Sequence, residues 1–157
     1  MTKEEKVKAL VDKVQARQKL MDTAQEDGAE IVTYTSKLQR TGLLPYLPAQ
    51  IVELLHQNVT AYYTYTPGPA HENGLVTDGK CTYIPDGHGG RVYAIGMSTD
   101  VFQRGIKAQL VMLCHELAHV ETGKGNHDDV FDQYFQMLLN AVNEYNNFDL
   151  VRDLIDP

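Results

Sequence analysis

The stretch from Ile106 to Val120 constrains this chain more than any other: it has an apolar helical period, yet it holds two histidines and a glutamate. Ile106, Leu110, Leu113 and Leu117 fall on or near one face at three-to-four spacing. That pattern predicts a largely buried helix, and Gly123 predicts where it stops. Inside it stands His115-Glu116-Leu117-Ala118-His119. Histidines at i and i+4 share a helix face one turn apart, so both imidazoles can reach one cation. Burying two imidazoles and a carboxylate without partners is costly, and a metal ion supplies a partner.

Zinc accepts imidazole nitrogens at about 2.0–2.1 Å and prefers four ligands in a tetrahedron. A catalytic site takes three of them from the protein and leaves the fourth position to water. His127, eight residues past His119, is the expected third ligand. Between them Gly123 and Gly125 allow two sharp bends, and seven residues are ample to return the chain to the ion. Asp128 can cap the next helix and so hold His127 just before its first turn. Asp128, Asp129 and the more distant Glu144 are the alternatives for that third position. Glu116 points about 100° around the helix from His115, beside the ion's open side, where a carboxylate can take a proton from the metal-activated water. One catalytic zinc, held by His115, His119 and His127, with Glu116 as general base, is the expected site.

This segment resembles the zincin metallopeptidases of the WLM and SprT-like groups. The likeness rests on His115-Glu-Leu-Ala-His119, a glycine-bearing turn, and His127-Asp-Asp-Val-Phe131 on an amphipathic helix, and it covers roughly Val92 to Leu139. It implies zinc-dependent hydrolysis of peptide bonds, with the same three histidines as ligands and Glu116 as the catalytic base. It also implies an α+β fold: a small, mainly antiparallel sheet beside the active-site helix, with helices before and after. Members of those groups often act on DNA-bound proteins; this chain is acidic and has no zinc ribbon or basic tail. The competing reading is a non-enzymatic structural or interaction protein that keeps the scaffold within a larger assembly. Glu116 favours the enzyme, because a purely structural zinc needs no water-activating carboxylate.

The remaining sequence supplies the setting. A length of 157 residues fits one domain. A net charge of −7 repels phosphate backbones, which disfavours nucleic acid or anionic membrane as a whole-surface partner; the protein or peptide substrate is what the resemblance implies. The charged start lacks the apolar core of a signal peptide, no apolar run approaches a membrane span, and Cys81 and Cys114 read as reduced thiols; a cytoplasmic setting is expected. Lys80-Cys-Thr-Tyr-Ile-Pro-Asp86 resembles, with its spacing off by one, the cysteine-switch segment that masks zinc in matrix metallopeptidase precursors.

The first 28 residues predict an amphipathic helix, with Val7, Leu10, Val11, Val14 and Met21 as its stripe; it is expected to dock on the core or on a protein partner. Residues 31–41 fit helix or strand equally. Pro48 predicts a helix start, and Ile51, Leu54, Leu55 and Val59 its apolar face. Strands are expected at 61–66, 81–84 and 91–97, the last two as a hairpin across a glycine-rich turn. Arg91 to Ser98, just before the active-site helix, is the expected edge strand for an extended substrate. Tyr83, Tyr93, Tyr134 and His88 are candidates to stabilise an oxyanion, with ordinary packing or surface roles as their default.

Overall fold

The computed structural model describes residues 2–25, 30–67, 78–85, 90–123 and 125–155. Five α-helices and four strands alternate irregularly along the chain, an α+β arrangement with a small mixed sheet. Helix α1 spans Lys3–Gln25 and strand β1 Glu30–Thr35. Two 3-10 turns at Leu38–Thr41 and Leu44–Tyr46 lead into α2, Ala49–Asn58. Strands β2 (Val59–Thr66), β3 (Gly79–Pro85) and β4 (Arg91–Ser98) follow, then α3 (Thr99–Gln103), α4 (Ile106–Thr122) and α5 (Asp129–Asn146).

Strand order in the sheet is β1-β2-β4-β3. β1 with β2 and β3 with β4 are antiparallel, whereas β2 and β4 run parallel. β4 therefore lies inside the sheet, with neighbours on both sides. The expectation that it forms a free edge for substrate is wrong. In the chain α3 separates it from α4, and its main-chain groups are already paired with β2 and β3. The edge on this side of the sheet is β3. The β3–β4 hairpin itself is as predicted, with Tyr83 opposite Tyr93 and Pro85 opposite Arg91.

The interior position of β4 follows from its residues. Tyr93, Ile95 and Met97 join the main apolar core on one face, while Ala94 joins Ala61, Tyr63 and Tyr65 on the other. Side chains alternate across a strand, so a strand buried on both faces needs apolar or small residues throughout. Gly96 belongs to that logic: a Cβ there would fall on the Tyr63 ring, which crosses it from the parallel neighbour.

α4 is the central element. Leu110, Val111, Leu113 and Leu117 are fully enclosed, and Phe131, Phe135, Leu139 and Val142 of α5 pack in the same core. Ser98 caps the short α3 just upstream, its Oγ accepting from the Val101 N–H at 3.2 Å, and α4 itself starts after Gly105 at φ +103°. At the other end Gly123 has φ +68° and returns its N–H to the His119 carbonyl at 2.9 Å. Asp128 caps α5, Oδ1 accepting from the Phe131 N–H at 2.9 Å.

Three sequence expectations change. The ambiguous 31–41 segment divides into a strand and a 3-10 turn. Val59 opens β2 instead of extending the apolar face of α2. Helix α1 forms, with Thr2 and Glu5 in a reciprocal capping box, and lies across β3 and β4. Its predicted stripe does not bury: Val7, Leu10, Val11 and Val14 are 46–63 % exposed, and the Met21 side chain lies outside the described residues. No helix among the described residues is long and apolar enough to cross a membrane.

Leu117 is fully buried at the centre of α4. Leu117→Ala should cost about 2–5 kcal/mol of stability. The check is urea unfolding, which should show a lower midpoint at unchanged slope.

Candidate metal centre

α4 presents His115 and His119 side by side, with ring centroids 4.9 Å apart. The Gly123 turn reverses the chain, and the cap at Asp128 starts α5 so that His127 faces the pair. His127 Nε2 lies 3.1 Å from His119 Nε2. One nitrogen from each of the three rings falls within 4.8 Å of the others, the group among the described residues that could hold a metal ion. Tetrahedral bonds of about 2.0–2.1 Å place ligand nitrogens roughly 3.4 Å apart, so the observed spacing suits a shared cation with little rearrangement. Its identity is not set by this geometry.

Phe131 forms the floor of the cluster. It is fully buried, and its ring lies 5.2, 4.5 and 4.5 Å from the imidazoles of His115, His119 and His127. Phe135 adds an edge contact to His115 at 5.3 Å. Phe131 and Phe135 thus back the three rings on one side, while His127 stays exposed to the cleft. Burial lowers the His127 pKa below its ordinary value, and the neighbouring His115 and His119 lower it further. It is therefore neutral at pH 7, with a lone pair available for a metal.

Glu116 is 3 % exposed. Its Oε1 lies 3.0 Å from His115 Nδ1. With the proton on Nδ1 the imidazole donates to the carboxylate, leaving Nε2 to ligate. Oε2 has no protein partner among the described residues. Gly79 of β3 passes so close to this carboxylate that a Cβ there would come within 2.5 Å of Oε1 and closer still to Met112 Sδ. The glycine is what lets the edge strand lie against the face of α4 that carries Glu116.

These groups line one open cleft of about 390 Å³. Gly79, Cys81 and Tyr83 of β3 and Arg91 and Tyr93 of β4 form one wall; His115, Glu116, His119, Gly123, Gly125 and His127 form the other. The alternatives for the third ligand fall away from it. Asp128 serves as the helix cap, Asp129 is exposed on the first turn of α5, and Glu144 lies fifteen residues along that helix, roughly 22 Å from its start. Tyr83 and Tyr93 reach the cleft; Tyr134 packs against the main core instead, and His88 lies outside the described residues.

Two lining residues escaped the sequence reading as parts of the site: Gly79 and the Arg91 side chain. Their signal was the hairpin, but nothing in its spacing tells which edge meets α4. Cys81 is half-buried, and burial, with the Glu116 charge beside it, raises its thiol pKa. Cys114 is enclosed in the core, its pKa pushed up to about 12 by burial, in line with its reading as a small buried residue. Among known proteins, no family model, curated sequence or solved structure matches this chain.

His127→Ala should weaken metal binding as much as His119→Ala does, by more than about 100-fold. Metal analysis after dialysis against graded chelator checks this. Acidification should also release the metal, because each imidazole must be neutral to ligate.

Proposed function

We propose that this protein is a zinc metallopeptidase of zincin-like architecture. The observation that carries the reading is the return of His127 to the His115–His119 pair, with a buried carboxylate and an unpaired strand edge beside it. Three imidazoles suit zinc, and an acidic residue adjacent to them suits water activation. The motif's resemblance to WLM and SprT-like zincins points the same way.

His115, His119 and His127 would hold the ion. Zinc, when bound there, supplies polarisation of the scissile carbonyl and of the attacking water. Glu116 takes the water proton on Oε2, the oxygen without a protein partner among the described residues, and delivers it to the leaving amine. Its burial keeps the carboxylate in place between Gly79 and His115. The extended substrate adds to the outer edge of β3 through main-chain hydrogen bonds, which aligns its backbone along the cleft. The Tyr93 hydroxyl, facing the same cleft, is the candidate donor to the developing oxyanion.

A non-enzymatic role within a larger assembly has one observation in its favour: the half-exposed valines and leucine along α1. Activity decides between the two. Zinc-loaded protein should cleave a denatured protein substrate, and chelator should stop it. Glu116→Gln should retain zinc and lose about 10²–10⁴ in turnover. Retained zinc with no cleavage by the parent protein would leave the scaffold role standing. Gly79→Ala should likewise keep zinc but lower turnover, since its methyl displaces the Glu116 carboxylate; equal turnover would remove the positioning role given to the strand.

A further inference from the structure

Arg91 opens β4 at the end of the cleft. Its guanidinium carbon lies 4.2 Å from the centroid of the Tyr83 ring. Nη1 donates to the Tyr93 hydroxyl and to the Gly123 carbonyl, each at 3.4 Å. Both contacts use the same nitrogen, so Nε and Nη2 carry no hydrogen bond among the described residues. No described carboxylate lies within ion-pair distance of it. The contrast is Arg152, whose charge acts on His127 but which is paired with Asp132 at 3.1 Å. In a chain of net charge −7, a guanidinium without an ion pair among the described residues, stacked and tethered in a cleft, is a group prepared for a ligand.

The tether sets Arg91 beside the C-terminal end of α4, the end that carries His119. Gly123 follows His119 by four residues, about 6 Å along the helix axis. An extended chain advances about 3.3 Å per residue, so 6 Å corresponds to roughly two substrate residues. The geometry points to Arg91 as the specificity group: it selects substrates that present a carboxylate about two residues from the scissile bond. The inference rests on the peptidase reading above. The guanidinium fork matches a carboxylate through two parallel hydrogen bonds, and stacking on Tyr83 holds it planar to the incoming group. An acidic side chain and a free chain terminus offer the same chemistry.

Binding tests this without turnover. The zinc-loaded Glu116→Gln protein is titrated with labelled peptides blocked at both ends, carrying glutamate or glutamine at each of three positions either side of the centre. A further neutral peptide with a free terminal carboxylate forms a separate arm. Glutamate at one position should bind about tenfold more tightly than glutamine. Arg91→Gln in the same background should erase that difference while zinc content stays the same, and Arg91→Lys should restore part of it. Tightest binding in the free-terminus arm identifies the chain end as the carboxylate source; tightest binding of internal glutamate identifies the side chain. Equal affinity for charged and neutral peptides in both arms, or a preference that survives Arg91→Gln, overturns the inference. Failure of the peptidase reading looks different: no peptide binds, charged or neutral, although zinc is held.

Discussion

The approach of His127 to His119 is the contact on which the site depends. Two imidazole nitrogens at 3.1 Å, with a third ring nearby, need a proton or a cation between them to offset the crowding of their lone pairs and dipoles. Helix α4 can hold His115 and His119 by itself, because i and i+4 positions share a face. His127 has no such local guarantee. It arrives through a left-handed glycine at 123, a second bend, and a helix cap at Asp128 that fixes where α5 begins. Phe131, one turn into α5, then packs against all three rings. Packing of the two helices and assembly of the ligands are thus one event.

The sheet supplies the opposite side of the cleft. β4 is buried on both faces and anchors the hairpin, so β3 is carried to the edge against α4. Close approach there requires a residue without a side chain, and Gly79 provides it beside Glu116. Farther along the same hairpin, alternation of side chains turns Cys81 and Tyr83 toward the cleft, and cross-strand register sets Tyr83 beside Tyr93 and Arg91. A short hairpin therefore sets the clearance around the carboxylate at one end and places a fixed positive charge at the other.

Legibility in the sequence followed the range of the forces involved. The periodicity of α4 and α5, the stops at Gly123 and the cap at Asp128 were readable because each depends on residues within a turn or two. So was the β3–β4 hairpin. The interior placement of β4 was not readable: a strand buried on both faces and a half-buried strand of similar composition differ only in what lies beside them. The stripe of α1 misled for a related reason. Helical periodicity states that a face is apolar, but whether anything covers that face is decided by the rest of the molecule.

From the sequence alone came the identities and order of the chemical groups: two histidines one helical turn apart, a glutamate between them, glycines that permit reversal, and a third histidine before a capped helix. These are local properties, fixed by backbone geometry over a few residues. Tertiary structure alone decided that β3 and not β4 faces outward beside the cleft, that Gly79 makes room for Glu116, and that Arg91 stands one helical turn beyond His119. Each of those is a meeting between segments dozens of residues apart, and such meetings are selected by how the whole core packs, not by the pattern within either segment.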